Sequence, residues 1–307
     1  MSEQPDQRPD RRPDRRPDRP ARGARGARAV TVQRTERLTP SLVRLVVGGP
    51  GLDGFEPSLF ADSYIKVLFL HPDTPRPLPR TEDGRVAVDQ VRDAVPPEQA
   101  PRMRSYTVRG FDADRQELTV DFVVHGDEGI AGPWAGSAQV GDEMLFLGPG
   151  PGGYQPDPTA DRHLLVGDLS ALPAIAAALE QLPADAVGDA VVEVHDETDE
   201  LPVTAPAGVR VAWVHQGDAV AGTRLVEAVL ALPWSDGDVQ AFVHGEAGAV
   251  RQLRRYLRTE RGMSLDRLSV SGYWRLGDDD EGWRRGKRDW TATVEADEAG
   301  APAAPVG

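Results

Sequence analysis

The hydrophobic period of this chain changes near residue 150, and that change limits what it can fold into. From Ala29 onward the apolar residues alternate with polar ones or form short runs, in "AVTVQRTERLTPSLVRLVVGG", "SYIKVLFL", "RVAVD", "RSYTVRGF", "ELTVDFVVHG" and "GDEMLFLGPG", with Gly, Pro and Asp between the runs. Alternation of period two describes half-buried strands, and turn residues at this spacing predict about six strands in a small antiparallel barrel. After "GPGPGGYQPDPTAD" the pattern becomes strand then helix. "HLLVGD" precedes "LSALPAIAAALEQLP"; "AVVEVHD", "VRVAWVHQ" and "VQAFVHGE" follow, the last leading into "AGAVRQLRRYLRTERG". Apolar strands alternating with helices predict a doubly wound parallel sheet. The expected fold is therefore an antiparallel β-barrel at residues 29–155 followed by an α/β domain at 156–277, within the size range of two ordinary domains for a 307-residue chain.

The two ends read differently. Residues 1–28 repeat "RPDR" and then "ARG", a run without apolar side chains to pack, and are expected to be disordered. Nine Arg against five Asp or Glu give this tail a local charge of +4, leaving −18 of the net −14 to the remainder. Residues 278–307 form an acidic and then Ala/Pro-rich extension carrying Trp283 and Trp290.

Composition excludes several function classes. An acidic chain lacks the basic face that nucleic acid requires, so any anion site must be local. The absence of cysteine removes disulfides, thiolate catalysis and cysteine-held zinc or iron–sulfur centres, leaving redox chemistry to an organic cofactor. The six histidines show no metal-ligand spacing. No apolar run approaches the roughly 20 residues of a membrane span, and a cytoplasmic protein is the expectation. Arg251, Arg254, Arg255, Arg258 and Arg261 share one segment with Val250, Leu253 and Leu257, which describes an amphipathic surface helix rather than a nucleic-acid face.

Three constellations carry chemistry. In "RMRSYTVRG", a regular strand puts Arg104 and Tyr106 on one face and Ser105, Thr107 and Arg109 on the other. A guanidinium beside an aromatic ring suits a ligand with both a phosphate and a flat ring. Arg109, on the opposite face, is expected to be solvated. One strand later, "DFVVHGDEGIAGPWAG" gathers Gly126, Gly129, Gly132 and Gly136 around a short helix with Pro133 in its first turn, where backbone amides can meet phosphate oxygens. Third, "LLVGDLSALP" ends a buried strand at Gly167-Asp168 and begins a helix, at the end of a parallel strand where α/β sheets hold nucleotides, though without G-x-G-x-x-G spacing.

Taken in order, "RSYTVR", "VDFVVHGDEGIAGPWA", "GDLSALPAIAAALEQLP", "HGEAGAVRQLRRYLRTERG" and "SGYWRLG" resemble the siderophore-interacting protein family, flavin-dependent ferric-siderophore reductases of the ferredoxin-reductase-like superfamily. The resemblance runs from about Val30 to Gly277. It implies an FAD-binding barrel in which Arg104 holds the pyrophosphate, Tyr106 packs on the ring system and Thr107 bonds near its reactive nitrogen. His125, Ala131, Gly132 and Trp134 would surround the pyrophosphate and adenine side, with Ser105 and Asp121 grouped with them. A nicotinamide region would fall at Gly167, Asp168, Ser170, Ala171, Gly245 and Glu246. Leu169-Ser170 replaces an expected Glu-Thr, and His215-Gln216 stands where an arginine is common; both leave NADH and NADPH open. The acidic "EVHDETDE" favours a free ribose hydroxyl over a 2′-phosphate, which puts NADH at least level with NADPH.

The chain has two lysines, Lys66 and Lys287. Lys66 interrupts an apolar strand, and with Arg275 of "SGYWRLG" it is the expected basic patch for an anionic ferric siderophore. The activity implied is hydride transfer from NADH or NADPH to FAD and single-electron reduction of the chelated iron, releasing Fe(II), with ferredoxin a candidate electron donor. Two alternatives stand beside it: a general NAD(P)H–flavin reductase with another acceptor, and a redox-silent module that binds ferric siderophore.

Overall fold

The structure, a computed structural model, describes residues 26–126, 129–150, 152–234 and 237–299. The first 25 residues of the expected tail, Asp127 and Glu128 of the Gly-rich loop, and the last eight residues lie outside that description.

The N-terminal half is an eight-stranded antiparallel sheet wrapped into a barrel. Its elements are β1 (Gly26–Thr39), β2 (Leu42–Gly48), β3 (Tyr64–Phe69), the two-residue β4 (Val86–Ala87), helix α1 (Val88–Asp93), β5 (Arg102–Thr107), β6 (Gly110–Asp112), β7 (Glu117–Val123), helix α2 (Ala131–Ser137) and β8 (Glu143–Leu147). The strand order is β5-β3-β8-β1-β2-β7-β6, with β4 paired to β1. β1 begins at Gly26, so the last three residues of the tail expected to be disordered belong to the barrel wall instead. Ala27 is fully buried there, and Arg28 donates to the carbonyls of Gly51, Asp53 and Gly54 at 2.7 to 3.0 Å.

The expected strand "RSYTVRGF" breaks in two at Val108. The Val108 amide turns to Ser63 O and the Arg109 amide to Thr119 O, handing the chain from β3 to β7 and closing the barrel. The interior is packed by Val32, Leu45, Ile65, Leu118, Phe122 and Phe146, all fully buried, as the period-two pattern requires. A second apolar layer, around Leu68, Leu145, Val86 and Val91, lies beneath α1.

The C-terminal half is a five-stranded parallel sheet. It comprises β9 (Arg162–Asp168), α3 (Leu172–Gln181), β10 (Val187–Val194), β11 (Gly208–His215), α4 (Thr223–Leu230), β12 (Val239–Glu246), α5 (Ala247–Arg255) and β13 (Leu268–Trp274). The order β11-β10-β9-β12-β13 reverses between β9 and β12, where α/β sheets open a ligand crevice. α3 covers one face, with Leu172, Ile175 and Leu179 against Leu165 and Val192; α4, α5 and the wider helical turn Tyr256–Glu260 that continues α5 cover the other, with Leu225, Val250, Leu253 and Leu257 against Val166 and Val243. The Val250, Leu253, Leu257 spacing thus buries one stripe of the arginine-rich segment, as an amphipathic helix should.

The extension beyond Gly277 becomes helix α6 (Asp280–Ala299), seated on the α/β domain. Trp283 is buried against Gly272, where a Cβ would come within 2.8 Å of the indole; Lys287 Nζ donates to Gly272 O at 2.8 Å and Trp290 Nε1 to Ala247 O at 3.2 Å. The barrel and the sheet share an apolar cluster, with Leu42 and Ala61 packed beside Tyr154, Leu165 and Phe242. Buried Asp199 takes the amide and hydroxyl of Ser41 at 3.0 and 2.8 Å across the same junction.

Candidate functional site

On β5 the expected alternation holds up to Thr107. Arg104 pairs with Val67 and Tyr106 with Ile65, both members of the barrel core, whereas Ser105 pairs with Lys66 on the other face. Directly opposed residues in an antiparallel pair share a face, so Arg104 and Tyr106 point to the same side. The Tyr106 ring lies 4.2 Å from that of Phe122, which is in turn 5.8 Å from Trp134 on α2. The barrel thus brings Arg104, Tyr106, Trp134 and Ala131 to one region. Gly126 and Gly129 in the intervening loop have φ of 53° and 77°, conformations that L side chains adopt at a cost. Gly132 lies against the end of β7, where a Cβ would come within 3.4 Å of Val123 O. His125 is exposed beside this turn, Ser105 is exposed, and Thr107 is buried at the end of β5.

Two arginines have carboxylate partners that the sequence did not indicate. Arg104 is held end-on by Glu281 of α6, Nη1 to Oε1 at 2.8 Å and Nη2 to Oε2 at 3.0 Å, and its side chain keeps only 11% of its exposure. Arg109 is not a solvated residue. The break at Val108 turns it toward α3, where it makes a two-pronged pair with Glu180 at 3.0 and 2.5 Å. Asp121 is buried in the barrel wall, where Arg44 donates to both its oxygens at 2.7 and 2.8 Å.

At the α/β edge, all six expected residues meet. Gly167 faces Ala171 and His244 O, where a Cβ would sit 2.6 and 2.7 Å away; Gly245, at φ 136°, faces the Asp168 carboxylate at 2.6 Å. These glycines admit protein atoms. Asp168 Oδ1 accepts the Ser170 amide at 2.9 Å and hydroxyl at 2.5 Å, and Oδ2 accepts the Glu246 amide at 2.7 Å and Trp274 Nε1 at 2.8 Å. Glu246 caps α5 through the Ala249 amide and takes the Leu276 amide; Glu193 takes the Gly222 and Leu225 amides at the start of α4. Burial pushes Glu193 above the usual carboxylate range against those two amide bonds, with Asp168 and Glu246 adding repulsion. Glu193 and Glu246 therefore satisfy first-turn amides of α4 and α5, at helix ends that elsewhere attract phosphate, while Asp168 holds the turn before α3.

The acidic segment after β10 is similarly engaged. Asp196 caps its own turn through Thr198, Asp199 clamps Ser41, and Glu200 meets His215 at 2.7 Å. Lys66 lies half-buried on the outer face of β3, and half-exposed Arg275 sits 3.9 Å from Asp278. Among the described residues no cluster of three or more His, Asp or Glu could hold a metal, and no helix is long and apolar enough to cross a membrane.

Two family models cover most of the chain: a siderophore-interacting FAD-binding domain over residues 31–153, and a siderophore-interacting protein domain over 160–277. The chain belongs to the siderophore-interacting protein family. It is 47% identical over 277 residues to an uncharacterized protein of Mycobacterium tuberculosis, covering 85% of this chain and 94% of that one. It is 35% identical to the ferric vibriobactin reductase ViuB of Vibrio cholerae (81% and 90% covered), and 32% identical to an NADPH-dependent ferric-chelate reductase of Escherichia coli (80% and 92%). The crystal structure of a siderophore utilization protein from T. fusca superimposes with a TM-score of 0.71 at 37% identity, covering 83% of this chain and 94% of the other. The barrel is thus an FAD-binding domain, and its donor set suits that group: a guanidinium for phosphate, an aromatic ring for the flavin, and a glycine loop that lets backbone approach.

Proposed function

We propose that this chain is an FAD-dependent reductase of ferric siderophores. The observation that carries the reading is the shared face of Arg104 and Tyr106 beside the glycine loop, in a domain that matches the family's FAD-binding model. The relatives named as ferric vibriobactin reductase and ferric-chelate reductase supply the substrate class. Bound FAD supplies the chemistry, taking electrons in pairs and passing them on singly. The protein's task is then to bind, orient and exclude.

In this reading Arg104 pairs with the pyrophosphate, and Tyr106, braced by Phe122 and Trp134, supports the ring system. The Thr107 side chain, buried beside Tyr64 on the opposite face, leaves its backbone to meet the flavin edge. Lys66 and Arg275 provide positive charge for an anionic chelate. Because Fe(II) is a poorer partner for hard oxygen ligands than Fe(III), reduction suffices for release, and no general acid or nucleophile is required.

For the electron source, the first amides of α4 and α5 are already taken by Glu193 and Glu246, and Asp168 takes the Ser170 amide in the turn before α3. A nucleotide there meets a negative field that grows costlier with each added phosphate. That supports NADH over NADPH at Ser170 and Ala171, and leaves ferredoxin as a second donor. The test is spectroscopic. Purified protein should be yellow, anaerobic NADH should bleach it near 450 nm faster than NADPH, and a ferric siderophore should restore the colour while a ferrous trap reports iron. Colourless protein would favour the redox-silent binding module, and reoxidation without ferrous iron a reductase with another acceptor.

A further inference from the structure

Helix α6 lies outside both family matches, yet its first turn reaches the barrel at the flavin side of β5. Glu281 takes the outer edge of the Arg104 guanidinium through both Nη atoms, and Arg284 Nη1 donates to Met103 O at 3.2 Å. The Glu281 carboxyl is held below its usual range, first by the hydrogen bonds from Arg104 and further by the charge of Arg102. One carboxylate is thus paired with Arg104 in the field of Arg102, and Arg284 donates to Met103 O, the carbonyl that Arg104 Nη1 also reaches at 3.0 Å. The two parties are unequally exposed, with the Glu281 side chain at 35% and that of Arg104 at 11%. The rest of α6 is anchored elsewhere, through Trp283, Lys287, Trp290 and buried Val294 on the α/β domain.

We propose that Glu281 is the internal counter-anion of the flavin pyrophosphate site, exchanged for the diphosphate when FAD binds. This rests on Arg104 being the pyrophosphate residue. A guanidinium edge accepts one two-pronged anion at a time, and a diphosphate brings two charges to three arginines where a carboxylate brings one. Exchange frees the first turn of α6 from β5 while Trp283 and Lys287 keep the helix on the sheet. Flavin occupancy and that turn are therefore coupled, and the coupling is reciprocal: whatever loosens the turn tightens FAD. Glu281 sets the affinity, with Arg102 and Arg284 as further cations of the site.

The test is FAD titration into flavin-stripped full-length protein, followed by flavin fluorescence, for the wild type, Glu281→Gln, Glu281→Asp and Arg104→Ala. Glu281→Gln should bind FAD on the order of tenfold more tightly, within the usual span of coupling between sites. Glu281→Asp, with its carboxylate withdrawn by one methylene, should fall between. Adding FAD to the wild type should raise amide exchange at residues 280–282 while the seat from Trp283 to Val294 stays protected. Equal or weaker FAD binding by Glu281→Gln, or a first turn that FAD protects, overturns the proposal. If Arg104→Ala binds FAD like the wild type, the assignment of Arg104 fails and this inference with it. If Arg104→Ala loses FAD while Glu281→Gln matches the wild type, only the exchange fails.

Discussion

The two halves of this molecule treat anions in opposite ways. On β5 positive charge comes from a side chain, Arg104, and the carboxylate that balances it is drawn from a distant helix at a half-exposed contact. At the carboxyl edge of the parallel sheet, the positive ends of α4 and α5 are satisfied from within by Glu193 and Glu246, while Asp168 ties Ser170, Glu246 and Trp274 together, all three carboxylates being buried. A side-chain cation can change partners by rotating its neighbour. A backbone amide capped by a buried carboxylate can do so only by breaking the turn it belongs to. In the proposed reading, the barrel seats a tightly held, phosphate-bearing group and the sheet edge a visitor that leaves.

This contrast can be broken most directly at Arg104. Arg104→Ala should lower FAD affinity by about a hundredfold, from loss of a charge-assisted fork worth about 3 kcal/mol, with circular dichroism unchanged. Retention of flavin through dialysis would remove the barrel's side of the comparison. Next in size is Asp168→Asn. An amide in place of a carboxylate faces donors on both sides and should cost about 2–3 kcal/mol of stability, read as a fall in Tm of about 5–10 °C, with FAD affinity preserved. A loss of flavin with no loss of stability would reverse the roles assigned to the two regions.

A smaller effect tests the interior beneath the sheet edge. Burial, with Lys287 adding repulsion, pushes His244 down to about 3, and its ring nitrogens lie 2.9 and 3.0 Å from Tyr273 Oη and Ser269 Oγ. Because the folded value is depressed below that of the unfolded chain, the contribution is complete above pH 6.5. It is lost as pH falls from there toward 3, at about 1.4 kcal/mol per pH unit. Denaturation at pH 7, 6 and 5 should follow that slope, and His244→Phe should flatten it. Smallest is Glu193→Gln, which removes one charge from the edge and should improve NADPH relative to NADH by about threefold in kcat/KM. An unchanged ratio would mean that the field of this carboxylate does not reach the nucleotide.

How much of this could be read from the sequence follows from the range of the interaction concerned. Period-two and strand–helix patterns are local, and they placed both sheets and the stripe Val250, Leu253, Leu257. The Arg104 and Tyr106 face was legible for the same reason. The break at Val108 was not, because it depends on Ser63 and Thr119 offering carbonyls from other parts of the chain. With it went the fate of Arg109, whose partner Glu180 lies 71 residues away, and that of Arg104, whose partner lies 177 away. Which carboxylate an arginine finds is decided by the closed fold; a string of residues carries charge without direction. Glu281 carried one faint signal, an acidic run sharing its segment with Trp283, since tryptophan in such a run argues for something to pack against.

Gly272 and Trp283 have a consequence for how this chain can vary over time. The indole fills the space a side chain at 272 would need, and Lys287 takes the same glycine's carbonyl. A chain that keeps the C-terminal helix has to keep glycine at this point of β13, and one without it still meets Ala247, whose Cβ would lie 3.2 Å from a side chain there. Glycine at 272 thus answers to two neighbours, so the helix can be lost without freeing the strand, but a side chain at 272 would unseat the helix.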